Sequence, residues 1–373
     1  VVLVAALAWL TWSLGQALTS PGGGSLAERA AEWARDHYLG PLVTFGEWVS
    51  YQPPKVGGHP SFSLAGPGGR NGSGRMSRRP GHASPPAGAR ARATLSAAAP
   101  AALSSPAGHP LPGEGQWRVL YRTGRGPAIF GTYLRPDRVH TSYVAGIVSM
   151  NQRLLRFELR PGAQDPGPGG YGAAQPVIAP GTRSGLAATF NGGFKMAAAG
   201  GGFYLGGTYR GALRPGAASM VYYRDGRLAI GTWGQGLGMK PGVAGVRQNL
   251  RLIVENGQIP ASVDQNVVSS WGATLGGGYY VWRSGVGITR DGRVVFVYGP
   301  ALDVRTLAGL LRRAGCAEAM QLDINPDWTN FMYYRPGVNP ADPAPAALLP
   351  DQVQPPGRYY SIASRDFTAV FAR

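Results

Sequence analysis

The sequence predicts an α+β fold: a β-rich domain of mixed or antiparallel sheet with few helices, over residues 114–373. Two observations carry this prediction. Short runs of β-branched, aromatic and aliphatic residues recur from Gly115 onward and are separated by turn residues, as is typical of strands. Over the same stretch only one segment, 303–314, places apolar residues at helical spacing. No Rossmann or P-loop glycine pattern appears, so nothing in the sequence predicts a nucleotide site.

The predicted strands follow one another at short intervals. In residues 155–160 apolar and charged side chains alternate, as in a strand with one buried face. Asp225-Gly226 and Asp291-Gly292 each lie between two apolar runs, which is a strong hairpin signal. The segments with a strand pattern are 117–121, 138–150, 154–159, 219–223, 250–254 and 294–298.

One helix and the strand after it are predicted in more detail. Asp303 occupies an N-cap position before three leucines at helical spacing, and Gly315 follows two arginines as a C-terminal stop. Residues 316–322 are short and mostly apolar, which predicts a buried strand. Asp323 then opens the loop Asp-Ile-Asn-Pro-Asp-Trp. A carboxylate at the end of a buried strand suits a catalytic group, and it equally suits a turn cap.

The first 113 residues lack the β-pattern and are interpreted as three segments. Residues 1–20 are uncharged and mostly apolar, which predicts a single-pass membrane anchor with the rest of the chain outside the cytoplasm. The alternative is a buried core helix, but no domain adjoins to bury it. Residues 21–50 contain a capping box at 25–28, which predicts a juxtamembrane helix. Residues 51–113 are rich in Pro, Gly, Ala and Arg without periodicity, which predicts a disordered linker.

Charge and side-chain chemistry narrow the function classes. The formal net charge is +17, but seven of the cations lie in residues 51–113, which contain no Asp or Glu. Such a segment suits an anionic cell surface or polymer better than a specific nucleic acid, because its charges lack interleaved aromatics. The single Cys316 cannot form an internal disulfide. His140 is the only histidine of the predicted domain, which excludes a His/Cys zinc site.

Two motifs resemble the phosphodiester glycosidase family. Arg283 opens the run Arg-Ser-Gly-Val-Gly-Ile-Thr-Arg-Asp-Gly-Arg, and after the predicted helix comes Ala-Met-Gln-Leu-Asp, ending at Asp323. Residues 190–194, Phe-Asn-Gly-Gly-Phe, resemble the family's Asn-Gly-Gly-Phe loop. The family usually continues its acid as Leu-Asp-Gly-Gly-Gly-Ser, whereas this chain continues as Leu-Asp-Ile-Asn-Pro-Asp-Trp. The resemblance covers roughly the C-terminal two thirds of the chain.

The resemblance implies an extracytoplasmic hydrolase that cleaves the glycosidic bond to phosphate in a sugar phosphodiester. The substrate would be a sugar phosphate or a cell-wall polymer. Asp323 would act at the anomeric carbon, and Asn191 would orient the substrate together with the amides of Gly192 and Gly193. A phosphate is already a stable leaving group, which reduces the need for the second carboxylate that glycosidases ordinarily use.

Further substrate contacts are predicted from side-chain chemistry: Arg283 also matches a family position, Lys195 departs from the aromatic residue common in the family loop, and Trp328 suits either a stacked sugar or the core. Lys195 and Arg283 would meet the phosphate, and Asn325, Asp327 and Trp328 would complete the site. The alternate spacing of Asp323, Asn325 and Asp327 is similar to the start of a calcium loop, so Ca²⁺ or Mg²⁺ is a candidate cofactor. Pro326 and the lack of a downstream glutamate speak against it, and the metal requirement is left open.

Elimination among the acids of the predicted domain also favours Asp323. Most of the others belong to turns, caps or loops, and Asp366 is set aside because it lies near the end of the sequence. The acids left as candidates are Asp264, Glu318, Asp323 and Asp327. The altered loop after Asp323 motivates a second hypothesis from another class: a non-catalytic carbohydrate- or wall-binding module on the same fold.

Overall fold

The structure is a computed structural model, and it describes residues 2–19, 26–65, 98–264, 271, 280–337, 339 and 341–373. Strands account for 35% of the chain and helices for 16%, so the prediction of a β-rich α+β fold is confirmed. All pairings between the strands of the described residues are antiparallel.

Four α-helices occur in the described residues: α1 Val2–Thr19, α2 Leu26–Asp36, α3 Gly40–Ser50 and α4 Val304–Arg313. None of them is long and apolar enough to cross a membrane. The predicted capping box includes Ser25, which lies outside the described residues. The helix α3 begins with Gly40-Pro41. Proline is well suited to the first helical turn, where its missing N–H costs no hydrogen bond.

Seventeen strands are described between residues 118 and 372. They are β1 Arg118–Thr123, β2 Gly126–Leu134, β3 Ala145–Asn151, β4 Leu155–Arg160, β5 Leu186–Asn191, β6 Phe203–Leu205, β7 Thr208–Arg210, β8 Ala218–Tyr223, β9 Leu228–Thr232, β10 Val243–Gln248, β11 Leu252–Val254, β12 Val281–Thr289, β13 Arg293–Leu302, β14 Cys316–Gln321, β15 Phe331–Arg335, β16 Ala344–Ala347 and β17 Phe367–Ala372. Short 3₁₀ turns occur at Pro180–Thr182, Ala261–Asp264 and Arg358–Tyr360.

The strands form three sheets. The seven-stranded sheet has the order β1-β2-β3-β13-β12-β14-β11. One five-stranded sheet has the order β7-β6-β10-β8-β9, and the other has the order β16-β15-β5-β17-β4. In the last sheet β17, the latest strand in the chain, pairs with both β5 and β4.

All three sheets contribute side chains to one main core. Phe296 of the seven-stranded sheet packs against Phe190 of β5, with ring centroids 4.8 Å apart, and Met220 of β8 belongs to the same cluster. The opposite face of the seven-stranded sheet packs against α4 in a second cluster that includes Val295 and Leu307. The central strands β12, β13 and β14 are thus covered on both faces, which explains the nearly continuous apolar sequence of β13.

The local predictions around α4 are confirmed. The Asp303 carboxylate accepts a hydrogen bond from the Thr306 backbone N at 2.6 Å, which is an N-cap. Gly315 has a φ of +89°, as a helix-terminating glycine does. The Asp225-Gly226 and Asp291-Gly292 turns each connect an antiparallel pair, β8 with β9 and β12 with β13.

Two predictions differ from the structure. The strand expected over 138–150 begins only at Ala145, because the Asp137 carboxylate accepts hydrogen bonds from the backbone N of Val139 and His140 and holds the segment in a turn. Part of the predicted linker 51–113 falls outside the described residues, but both of its ends pack on the domain. Leu64 is buried in the main core, and Leu103 packs against the α4 cluster. Burial of these apolar side chains outweighs the disorder-promoting composition around them.

Candidate active site

The predicted catalytic pair, Asn191 and Asp323, lies together and is joined by Ser284. Asn191 ends β5 in a five-stranded sheet, and Asp323 follows β14 in the seven-stranded sheet. The Ser284 hydroxyl oxygen accepts hydrogen bonds from Asn191 Nδ2 at 3.0 Å and from the Asp323 backbone N at 3.2 Å. The Ser284 backbone N donates to the Asp323 carbonyl at 2.9 Å. One buried serine therefore fixes the two residues across the junction of two sheets.

The Asp323 carboxylate is buried and held by three N–H donors. Its Oδ1 accepts from the backbone N of Ile324 at 2.7 Å and of Asn325 at 3.0 Å. Its Oδ2 accepts from Arg365 Nη1 at 3.0 Å, in an ion pair. Hydrogen bonds to the charged form favour that form, so this arrangement stabilises an ionised carboxylate in a largely buried position.

Arg365 also covers an aromatic ring at the site. Its guanidinium carbon lies 4.1 Å from the centroid of Trp328, within the range of a cation–π contact. The cleft beside them is narrow, with about 10 Å³ of space, close to the minimum for one water molecule. The cleft is lined by Asn191, Gly192, Gly193, Asp323, Trp328, Asn330, Arg358, Tyr359, Arg365 and Asp366.

The two glycines after Asn191 are needed for space. The Gly192 backbone N donates to the Asp366 carbonyl at 3.0 Å. A Cβ on Gly192 would overlap the Asp366 carboxylate and lie 2.6 Å from the Asp366 carbonyl oxygen. A Cβ on Gly193 would lie 2.7 Å from Asn249 Oδ1. Since neither glycine has a positive φ, close approach rather than backbone conformation is what requires glycine here.

Asn249 ties this glycine loop to the strand that carries the acid. Its Oδ1 accepts from the Phe194 backbone N at 3.0 Å. Its Nδ2 donates to the carbonyls of Gln321 at 2.9 Å and Leu322 at 3.0 Å. A single buried amide thereby sets the distance between the loop and the end of β14.

Asp366, set aside at the sequence level, belongs to the site. Its Oδ2 accepts from Arg247 Nε at 3.0 Å, in an ion pair whose side chains are both fully buried. Burial raises the pKa of Asp366, and the Arg247 guanidinium opposes that rise. Arg247 also donates to the Phe194 carbonyl, so the ion pair of Arg247 with Asp366 holds the glycine loop, residues 191–194, in place.

Trp328 and Asp366 each place in the cleft a buried polar atom without a hydrogen-bond partner among the residues that the structure describes. The two atoms are Trp328 Nε1, a donor, and Asp366 Oδ1. Buried polar atoms are nearly always paired, and an orphan at a cleft points to a missing ligand or water. Trp328 Nε1 requires an acceptor and Asp366 Oδ1 a donor, and a hydroxyl group can serve as either.

Arg283 lies on the wrong face of β12 for the predicted phosphate contact. It has the same orientation as Gly285, whose face packs on α4, whereas Ser284 faces the site. Arg283 Nε donates to the Leu302 carbonyl at 2.8 Å, and its Nη1 donates to Gln321 Oε1 at 2.9 Å. Burial lowers the pKa of Arg283 to about 10, which leaves it charged at neutral pH as a structural cation inside the sheet.

Three other predicted substrate contacts are not among the residues that line the cleft: Lys195, Asn325 and Asp327. Asn325 Oδ1 accepts from the Asp327 backbone N at 2.9 Å, which is an Asx turn. The calcium-like spacing is thus explained by turns, since the Asp323 carboxylate likewise accepts from the Asn325 backbone N. In the described part of the chain no group of three or more His, Cys, Asp or Glu could hold a metal ion.

The cleft-lining residues that the sequence did not reveal come from late in the chain. Asn330 donates its backbone N to Asn191 Oδ1 at 3.2 Å, and its own Oδ1 accepts from the Tyr359 hydroxyl at 2.9 Å. Arg365 and Asp366 immediately precede β17. The only local signal for them is an Arg-Asp pair directly ahead of an apolar run.

Comparison with known proteins bears on the family. Residues 184–323 match the family model described as phosphodiester glycosidase, which confirms the resemblance of the two sequence motifs. No curated protein matches the chain.

Three solved structures are similar to the chain at low identity. The catalytic domain of zebrafish N-acetylglucosamine-1-phosphodiester alpha-N-acetylglucosaminidase, auto-inhibited by its pro-peptide, has 14% identity and a TM-score of 0.40, covering 69% of this chain and 88% of that one. A hypothetical protein from Synechocystis has 11% identity and a TM-score of 0.34, covering 66% and 62%. A putative exported protein from Burkholderia pseudomallei has 11% identity and a TM-score of 0.29, covering 62% and 74%.

Proposed function

From a chain whose residues 184–323 match the phosphodiester glycosidase family, we propose a glycosidase that cleaves the bond between a sugar and phosphate in a sugar phosphodiester. The observation that carries the proposal is the ion pair between Asp323 Oδ2 and Arg365 Nη1, 3.0 Å apart in a cleft. The reaction needs a negative group at the anomeric carbon and a cation at the phosphate. The pair supplies one of each, side by side.

The charges of the site suit the transition state. Positive charge develops at the anomeric carbon as the glycosidic bond breaks, and the Asp323 carboxylate stabilises it. The leaving phosphate meets Arg365 and a second cleft cation, Arg358. When the phosphate binds Arg365, the Asp323 Oδ2 is released from its ion pair and can act on the sugar.

Sugar binding requires the cleft to open, because its present space suits about one water molecule. The same exchange opens it. As the phosphate draws Arg365 away, the Trp328 ring loses its cation–π partner and can stack on the sugar. The Trp328 Nε1 donor and the Asn191 side chain then orient the hydroxyl groups.

The test is sugar release from a panel of sugar-1-phosphodiesters, including N-acetylglucosamine, with and without Ca²⁺ or Mg²⁺. Wild type is compared with Asp323→Asn, which keeps the shape and removes the charge. We expect release to fall about 100- to 1,000-fold, since an electrostatic contact of this kind accounts for about 3–4 kcal/mol of the barrier. Asp264→Asn is the matched control: it makes the same change on an exposed acid and should leave release unchanged. Equal release by wild type and Asp323→Asn would refute the assignment.

The alternative is a carbohydrate-binding module without catalysis. It is favoured by the fact that both oxygens of Asp323 are already engaged by donors of the protein. A folded protein that releases no sugar from any member of the panel, yet binds an envelope polymer equally well with Asp323 or Asn at this position, would establish the alternative.

We extend the proposal to an anionic envelope polymer as substrate and to a location outside the cytoplasm. The support is the seven cations and absence of acids in residues 51–113, which suit an anionic surface. Salt-dependent binding to such a polymer, lost when the seven cations are replaced by glutamine, is the expected result. The membrane anchor over residues 1–20 stays a prediction.

A further inference from the structure

The cleft is lined by two carboxylates, and the protein holds them in opposite ways. Asp323 accepts three N–H donors that favour its charged form. Asp366 uses only Oδ2 in its bond to Arg247, while its Oδ1 is buried with no partner among the described residues. Pairs of acids whose surroundings separate their protonation states are the usual arrangement of a general acid beside an ionised partner.

Resting on the proposed function, we infer that Asp366 is a second catalytic residue, the acid that protonates the leaving phosphate oxygen and regains its proton from the attacking water. Asp323 is then the ionised partner at the anomeric carbon. The inference is carried by geometry: both residues line one cleft, and the Asp366 oxygen left over from the ion pair is the one that lacks a partner.

The step balances without a co-reactant. The bond between the anomeric carbon and the phosphate oxygen breaks, and its electron pair stays on that oxygen, which takes the proton from Asp366. Water adds its oxygen to the anomeric carbon, and the proton that the water loses returns to Asp366. The products are a free sugar and a phosphate monoester, and Asp366 ends protonated as it began.

Charged and titratable groups approach Asp366 from every side. Arg247 reaches it from β10, and Arg365 precedes it in the chain. Asp165 acts on it from the loop after β4, and Asp323 and Arg358 share its cleft. The tyrosines in electrostatic contact with it are Tyr171, Tyr222 and Tyr359.

The sign of the pH dependence follows from these surroundings. Burial raises the pKa of Asp366, and Arg247 lowers it by a smaller effect. An acid works only in its protonated form, so kcat/KM should be lost as pH rises through that pKa. Removing the Arg247 charge lifts the pKa further and should move this alkaline limb to higher pH.

The experiment measures kcat/KM against pH for the full chain, with wild type, Asp366→Asn and Arg247→Gln, on a sugar-1-(methyl phosphate). We expect Asp366→Asn to lose about 100-fold or more and to have no alkaline limb, as for removal of a general acid. Arg247→Gln breaks the same ion pair but keeps the acid, and its alkaline limb should shift to higher pH.

Each outcome decides the inference. Equal losses of kcat/KM in both variants, with the alkaline limb unmoved, would show that the ion pair of Asp366 with Arg247 is structural only. A wild-type profile without an alkaline limb would show the same. If Asp366→Asn does not fold, the direction in which Arg247→Gln moves the alkaline limb of kcat/KM decides whether Asp366 is the acid. A wild type that releases sugar while Asp366→Asn keeps its rate would overturn the role of Asp366 alone. A wild type inactive at every pH would instead overturn the proposed function itself.

Discussion

At the scale of single residues, the site depends on how closely the backbone of residues 191–194 approaches its neighbours. Gly192 and Gly193 leave room for the Asp366 and Asn249 side chains, which hold the loop from two directions. The same packing brings Asn191 within 3.0 Å of Ser284. Any side chain at Gly192 must displace either the Asp366 carboxylate or the loop.

Gly192→Ala should therefore destabilise the protein by about 1–3 kcal/mol, the usual cost of overpacking. The matched control is Gly309→Ala, in the middle of α4, where a Cβ would meet nothing within 4 Å. There alanine should stabilise the helix by about 0.5–1 kcal/mol, because glycine is the poorer helix former. Urea unfolding midpoints measure both changes, and shifts of the same sign would contradict this account.

At the scale of elements, the sequence predicts what is decided locally. The α4 cap, the Gly315 stop and the two Asp-Gly hairpins depend on neighbours within four residues, and all are observed. The orientation of Arg283 was not predicted, because residues i and i+1 of a strand point to opposite faces. Ser284, one position along, is the residue that reaches the site.

The α4 cap offers a prediction at this scale. Asp303→Ala removes the acceptor for the Thr306 backbone N and should cost about 1 kcal/mol of stability. Asp303→Asn retains a side-chain oxygen acceptor and should cost little. Denaturation of both variants at neutral pH distinguishes loss of the cap from loss of the charge: equal destabilisation of the two would show that the charge matters more than the hydrogen bond.

At the scale of the whole molecule, both ends of the predicted linker 51–113 pack against the domain. Glu114 is buried and accepts from Ser105 Oγ at 2.7 Å, from the Leu111 backbone N at 2.9 Å and from Arg135 Nε at 3.1 Å. Composition averaged over 51–113 concealed these contacts, since they depend on where Arg135 lies in three dimensions. Arg365 and Asp366 escaped prediction for the same reason: only the insertion of β17 between β5 and β4 brings them to the cleft.

The buried Glu114 carboxylate predicts a pH-dependent contribution to the free energy of unfolding. Burial by itself would raise the pKa of Glu114, but the hydrogen bonds from Ser105, Arg135 and Leu111 outweigh it and lower the pKa. A carboxyl with a depressed folded-state pKa stabilises the fold above its unfolded value of about 4.3 and loses that contribution as pH falls through the folded pKa. Glu114→Gln should thus cost about 1–3 kcal/mol at pH 7.

The difference in free energy of unfolding between wild type and Glu114→Gln should become smaller in acid. Urea unfolding at about pH 7 and about pH 3 measures it. A difference of the same size at both values would indicate that the glutamine merely packs badly. Ser105→Ala, which removes one donor and leaves the charge, should give a smaller difference with the same dependence on pH.

The late position of β17 has a consequence for how the protein is made. A chain emerging from the ribosome carries Asn191 and Asp323 well before Arg365 and Asp366 are synthesised. Until β17 enters, β5 and β4 of its sheet have no strand between them. A nascent chain therefore holds both sequence motifs before it holds the strand that brings Arg365 and Asp366 to the cleft, so the cleft is completed only after synthesis has passed β17.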